Sequence, residues 1–290
     1  METSVFVVFS VLVILCGAST LVVLLFLFKT HASPRHPLFA LLLFADFLCA
    51  SVLIGYESFS LLSVGKVIGE LTAIEGLIYG AILNRGVVLL YNMAMIGFVS
   101  QRIACILFPL SPSIQTRLVR IIVPAIFLVP SLHMTYDASI ILLGFGEIPL
   151  KLPKGCWDSR CALKVAPFHK LSFIALNIVL LVCNIVFAFV FLVLLRVKAQ
   201  HLLQSFKLAN SFLKYQLCSH ILLVLLPLFI DFFLTSAFAI RITEILGPYV
   251  LLISSLDGLL CALIYFVLSF RKRVAMEVPT ITARAEAARC

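Results

Sequence analysis

Charge is what this chain has least of. Of 290 residues only 13 are acidic and 22 basic, 12% together, where ordinary soluble proteins carry about a quarter. So few ionisable groups cannot clothe the water-facing surface of a soluble fold of this length, and a hydrophobic content of 63% with a mean hydropathy of +1.18 points the same way. The sequence has no Cys-x-x-Cys or Cys/His metal spacing, no His-Glu-x-x-His, no glycine-rich phosphate loop and no Asn-x-Ser/Thr acceptor. It has no Ser/His/Asp grouping and no internal repeat either, so enzyme chemistry, a cofactor and a metal centre are not expected. The net charge of +9 is no sign of nucleic-acid binding, because no basic block is interleaved with aromatics.

What is there is a series of long apolar runs. A hydrocarbon core about 30 Å thick needs roughly 20 helical residues, each rising about 1.5 Å. Seven runs meet that length, at about 5–28, 38–61, 71–101, 119–142, 171–195, 216–240 and 249–270. The strands of a membrane barrel would read instead as alternating stretches of about ten residues. The sequence therefore predicts an all-α integral membrane protein, one seven-helix bundle over 1–290, with 271–290 as a short tail that carries an amphipathic helix.

Cytoplasmic loops retain Lys and Arg. With the N-terminus outside, the inner side receives Lys29, Arg35, Arg102, Arg117, Arg120, Arg196, Lys198, Lys207, Lys214, Arg271, Lys272, Arg273, Arg284 and Arg289, fourteen bases against Glu277 and Glu286. The outer side receives seven, Lys66, Lys151, Lys154, Arg160, Lys164, Lys170 and Arg241, and Arg85 makes up the 22. The bias selects N-terminus outside, C-terminus cytoplasmic. The first run is too long for a secretory leader and lacks a basic start, so no cleavage is expected.

Charges at membrane depth are costly and mark candidate functional groups. They are Asp46, Glu57, Glu75, Arg85, Asp231 and Asp257, with Arg102 at the inner edge. In the third run Asn84, Val88, Tyr91, Met95, Phe98 and Arg102 follow a 4-3-4-3-4 spacing and so form one stripe. Arg85 lies about 100° to its side and about 25 Å along the axis from Arg102. Val88, Met95 and Phe98 read as packing residues. Asp46 and Asp257 sit midway along the second and seventh runs. If adjacent they would share a proton or a cation and form a switch, or else each would only hydrogen-bond across helices. Cys156 and Cys161 flank Trp157 in the long loop after the fourth run, where they either close a short disulfide or stay free. His133, His169 and His220 have no metal or nucleophile partner in sight and read as structural.

The stripe ends in Gln101-Arg102-Ile103-Ala104, with Pro109-Leu110 beyond. Here the sequence resembles the rhodopsin-like G-protein-coupled receptors, whose third helix ends in Asp/Glu-Arg-Tyr with an Ala two residues past the Arg and a Pro-Leu seven past it. Gln101 stands where the acid would be and Ile103 where the Tyr would be. Leu42-Leu43-Phe44-Ala45-Asp46 is similar to the family's Leu-Ala-x-x-Asp. Tyr265 with Ser269-Phe270-Arg271 resembles the end of its seventh helix, with Cys261 and Ala262 in place of Asn-Pro. Pro227 matches the kink proline of the sixth, with Leu225 where an aromatic is usual. The departures look most like the divergent nematode-type serpentine chemoreceptors, which share the short N-terminus, short loops and abundance of Phe. The Cys that the family places near Leu77 for its long-loop disulfide is missing, as are a Trp in the fourth run and a Pro in the fifth.

The resemblance implies a plasma-membrane chemosensory receptor. A heterotrimeric G protein would engage Arg102, Pro109 and Tyr265. A small organic ligand would enter between the third, fifth, sixth and seventh helices, touching Asn84, Arg85, Tyr91, Asp231 and Phe232, with Glu57 and Glu75 at the rim, and Asp46 matches the family's interior sodium position. Arg85 would either greet an anionic ligand or be tied to Asp231 or Glu57. Gln101 can offer Arg102 only a neutral hydrogen bond, weaker than a charge-assisted one, which implies a loosened off-state. The competing reading is a small-solute transporter or channel subunit that uses the same buried charges. Seven runs rather than an even, repeat-related set speak against it.

Overall fold

A backbone without water to bond to must satisfy its own amides, and an apolar run does so most simply as a helix. The computed structural model describes residues 3–30, 37–109, 111–142, 146–147, 164–165, 167–198, 204–238 and 249–287. Helix α1 spans Thr3–Lys29, α2 Pro37–Val64, α3 Glu70–Leu107, α4 Pro112–Leu142, α5 Pro167–Lys198, α6 Gln204–His220, α7 Leu226–Phe238 and α8 Tyr249–Ala287. A π-turn, Ile221–Leu225, joins α6 to α7 in one rod. Strands β1 (Gly146–Glu147) and β2 (Lys164–Val165) pair antiparallel, Gly146 opposite Val165.

Among the described residues, five helices hold stretches long and apolar enough to cross a membrane: Ser4–Lys29, Pro37–Val64, Thr72–Leu107, Ser113–Ile140 and Tyr249–Phe270. A shorter apolar stretch, Val182–Val197, lies in α5. Their outward faces carry large apolar side chains, such as Val8, Leu15 and Val22 on α1 and Val179, Val186 and Phe189 on α5, while Asp46, Arg102, Gln216 and Asp257 are buried. Apolar outside and polar inside suits lipid and is hard to sustain in water.

Several helices outrun the apolar stretches that announce them. α3 passes Gln101 and continues to Leu107, so Arg102 lies within the helix rather than at its edge. α4 starts at Pro112 instead of 119 and takes in Pro124 and Pro130. The rod of the sixth run begins at Gln204 instead of 216, and α8 runs on past Phe270 to Ala287, so the tail continues the seventh helix. Counting apolar residues stops at the first charge, whereas Lys, Arg and Gln are good helix formers that extend a helix already nucleated.

The π-turn has a cause in the sequence. Pro227 has no N–H to offer the carbonyl four residues back, and its ring crowds that carbonyl. The helix widens there, and Leu226 N–H bonds to Ile221 O. At the end of α2, Lys66 N–H bonds to Ser63 O at 3.1 Å and Val67 N–H to Leu62 O at 3.0 Å. This Schellman-type cap places Lys66 at φ 56°.

Contact pairs give the packing. Phe59 faces Gly76, Tyr56 faces Gly80 and Phe39 faces Phe98, so α2 and α3 run antiparallel. Met134 faces Gly86, and Ile122 and Ile126 face Gly97, which sets α4 antiparallel to α3 on another side. α3 also packs on α5, and α8 on α1, α2 and α6. Glycines at these crossings let backbones approach closely, as is common between helices in lipid. A Cβ on Gly97 would sit 2.7 Å from Ile122 Cγ2, a branch held near the α4 backbone. Gly97→Leu is accordingly expected to cost about 1–3 kcal/mol through overpacking, read as a lower thermal unfolding midpoint in nanodiscs, whereas Gly55→Ala, which meets nothing within 4 Å, should leave that midpoint unchanged.

Candidate functional site

Four helices present polar side chains to one another at a single level of the bundle. On α6, Gln216, Ser219 and His220 stand at i, i+3 and i+4 and share a face. On α8, Asp257 and Cys261 are one turn apart, as are Asp46 and Cys49 on α2, and Tyr91 comes from α3. Asp257 is 1% exposed, and its two oxygens are where the others converge. His220 Nδ1 lies 2.7 Å from Oδ2, Tyr91 donates its hydroxyl to Oδ2 at 3.3 Å, and Gln216 Nε2 donates to Oδ1 at 3.4 Å. Ser219 Oγ is 3.2 Å from Oδ1 and also 3.1 Å from the Gln216 carbonyl. Gln216 Nε2 also donates to the Tyr91 oxygen at 3.0 Å. The Tyr91 hydroxyl and the Gln216 amide are donors to this carboxyl, while the role of His220 Nδ1 depends on its tautomer.

Asp46 approaches from the other side. The missing side chain of Gly258 makes room for it, since a Cβ there would lie 2.6 Å from Asp46 Oδ1. Asp46 is 2% exposed, and its Oδ2 has no hydrogen-bond partner among the described residues. Asp46 thus packs against the α8 backbone at the residue next to Asp257. Among the described residues no group of three or more His, Cys, Asp or Glu is arranged to hold a metal.

One layer away, Phe39, Phe98, Phe212 and Tyr265 form a ring cluster, with Phe39 centroids 5.0, 4.6 and 4.8 Å from the other three. Beneath it Arg102 is 1% exposed, its guanidinium 5.1 Å from the Phe98 centroid. Gln101 beside it is also buried, and its Oε1 has no hydrogen-bond partner among the described residues. Tyr265 belongs to the ring cluster, and Pro109 sits exposed in the turn after α3.

The residues expected to line a ligand pocket separate into two places. Tyr91 joins the Asp257 network. Arg85 turns to α4, where its Nη1 is 3.7 Å from Asp137 Oδ2, and His133 Nε2 is 3.8 Å from the same oxygen. Asp137 is absent from the charges picked out in the sequence, although it lies inside the fourth run and one turn from His133. Those two facts were the available signal. Gln216 and Ser219 were missed because uncharged polar residues are common in apolar helices. His220, read as structural, is a direct partner of Asp257. Asn84 and Glu57 are buried and Glu75 is exposed. Asp231 and Phe232 lie on α7 with side chains outside the described residues, as do the whole of Cys156 and Cys161.

Two cavities are described. The cleft between the π-turn and α8, beside Val224, Pro227 and Ser254, has about 10 Å³, room for roughly one water. A groove of about 260 Å³ opens between α2 and α3 along Gly55, Tyr56, Phe59, Gly76 and Gly80.

Compared with protein-family models and with curated protein sequences, the chain matches none. The chain is a predominantly helical protein with, among the described residues, five helices long and apolar enough to cross a membrane.

The Arg85–Asp137 pair makes a measurable claim. Asp137 is 3% exposed and Arg85 29%, so solvent weakens the pair and its loss is expected to cost about 1–2 kcal/mol, below the figure for a fully buried pair. In a double-mutant cycle with Arg85→Ala and Asp137→Ala, thermal unfolding should show the two changes to be clearly less than additive. Full additivity would mean the two side chains are not energetically coupled.

Proposed function

We propose that this chain is a multi-pass plasma-membrane receptor of the rhodopsin-like seven-helix kind, sensing a small organic molecule and passing the signal to a heterotrimeric G protein. In this reading α1 to α5, the α6–α7 rod and α8 are its seven spans, with the N-terminus outside. The end of the bundle bearing Lys29, Arg102, Arg117 and Arg120 then faces the cytoplasm, as the positive-inside rule asks.

The observation that carries the reading is the continuity of α3. Tyr91, Met95, Phe98 and Arg102 are all buried along one face, linking the Asp46–Asp257 level to an arginine near the basic end of the bundle. The conformation is a closed one in this reading, because Arg102 is covered and cannot meet another protein without a shift of its neighbours. Phe212 of α6 packs 6.3 Å from Phe98, the ring that lies over the Arg102 guanidinium, so in this reading displacing α6 loosens that cluster and uncovers Arg102. Gln101 provides no acid to hold Arg102 back, so the closed form should be left often.

The test is nucleotide exchange on purified Gα in nanodiscs holding the full chain. Wild type should accelerate exchange without added ligand, Arg102→Ala should reduce the acceleration roughly tenfold or more, and Gln101→Glu should lower the basal rate while leaving ligand-driven exchange. A panel of Gα subunits showing no acceleration, together with uptake of a labelled solute by proteoliposomes, would replace the receptor by the transporter reading.

A further inference from the structure

The groove of about 260 Å³ between α2 and α3 lies apart from the polar network. It has a floor because α3 carries no side chains there. A Cβ on Gly76 would collide with the Phe59 ring and one on Gly80 with the Tyr56 ring, so both α2 rings settle onto bare α3 backbone. Gly55 is exposed, with nothing within 4 Å of where its Cβ would be, and Leu83 at the deep end is 44% exposed, so the groove is open on its outward side. Both helices hold apolar stretches fit to cross a membrane, and in a bilayer that opening faces hydrocarbon. An unfilled recess forfeits the dispersion contacts of its walls, and what fills this one must come from the membrane.

Size, charge and depth choose between the occupants. From Gly76 to Leu83 the groove follows seven residues of α3, about 10 Å of helix. A helix of a second copy, about 10–12 Å across with its side chains, would need roughly 800 Å³ over that length, far more than is there, whereas a single hydrocarbon chain is thin enough. The turn that joins α2 to α3 closes one end of the groove, and it carries the exposed Lys66. Phe59 stands seven residues before Lys66 and Val52 fourteen, about 10 and 20 Å along the helix. Half of a bilayer about 40–45 Å thick with its headgroups is that deep, so a lipid with its phosphate at Lys66 would bring a chain past Phe59 and down to Val52. A sterol suits the place less, because its hydroxyl is neutral and its rings hang directly beneath the interface, above the groove.

We infer that this groove seats one acyl chain of a glycerophospholipid whose phosphate is held by Lys66. Bulk lipid tails are as apolar as the groove walls, so the walls alone have little preference for one chain over another. The ammonium of Lys66 supplies the retention, and glycine at 55, 76 and 80 supplies the room. The inference asks only that the bundle sit in a bilayer and does not rest on the receptor reading.

Photo-crosslinking of the full chain in nanodiscs tests it. One probe is a phosphatidylcholine with a diazirine in the distal half of a chain; the other is the matching diacylglycerol, which lacks the phosphate. Mapped by mass spectrometry, the phosphatidylcholine label is expected to concentrate on 52–59 and 76–83, well above its level on the outward face of α1 at Val8, Leu15 and Val22. Gly55→Leu, which puts a side chain into the open wall of the groove, should remove that excess while leaving the α1 labelling and the thermal unfolding midpoint unchanged. Lys66→Gln makes the same backbone demand at φ 56° and should lower groove labelling about fivefold, the worth of one basic residue at a lipid surface. The diacylglycerol should label the wild-type groove more weakly by a similar factor. The inference is overturned if 52–59 and 76–83 are labelled no more than α1, or if either substitution leaves groove labelling unchanged. It is equally overturned if the diacylglycerol labels as strongly as the phosphatidylcholine, or if a photoactivatable sterol displaces the phospholipid from these residues. Absence of nucleotide exchange on Gα would leave each of these outcomes untouched, so the two ideas fall separately.

Discussion

A carboxylate in the middle of an apolar bundle has no water to turn to, and that constraint organises this protein around Asp257. Each acceptor position must be filled by a donor from a neighbouring helix, or the group costs several kcal/mol. The donors come from α3 and α6, and each side chain that reaches Asp257 draws its own helix in. Individual bonds of this kind between helices in lipid are modest, often below about 1 kcal/mol. Their joint effect is positional. Only one rotation of α6 brings Gln216, Ser219 and His220 to Asp257 together, and only one rotation of α3 brings Tyr91 there while keeping Phe98 and Arg102 buried. The polar network thus selects an arrangement that apolar packing alone would leave nearly degenerate.

How much of this could be read from the residues depends on the kind of information involved. Helices follow from apolar run length, and the α3 stripe from spacing on one helix, so both are local properties. That Asp46 and Asp257 lie at similar depth follows from their places midway along their runs. Partnerships between helices need rotation as well as depth, and a single sequence carries little of that. Arg85 could have faced Asp231, Glu57 or Asp137 by depth alone, and its pairing with Asp137 is fixed by Gly86, where α3 and Met134 of α4 come close. His220 reads as an isolated imidazole until α8 is placed beside it. Helix ends were legible only as far as charge is absent, which is why α3, α4 and the α6 rod are longer than their apolar cores.

The buried environment of Arg102 follows from the same packing. A guanidinium is expensive to enclose, yet its planar cation can lie over an aromatic ring, and Phe98, one turn earlier on the same helix, supplies one. The ring cluster above it excludes solvent without offering an acid. Position 101 is a glutamine, so cover and stacking on Phe98 contribute to holding the arginine.

The polar level and the aromatic level are built from the same four faces. Going down the bundle, Asp46 to Phe39 on α2 and Tyr91 to Phe98 on α3 are each seven residues, Ser219 to Phe212 on α6 is seven, and Asp257 to Tyr265 on α8 is eight. Seven residues of helix rise about 10 Å and return to nearly the same face. Because the helices alternate in direction, these offsets stack one ring of contacts on the other in register. A rotation of α6 that opens its bonds to Asp257 must therefore also withdraw Phe212 from Phe39, Phe98 and Tyr265, as both are carried by one rigid stretch of helix shorter than three turns. The stiffness of α6 thus ties the polar level to the ring cluster, with no chain of intermediate side chains required.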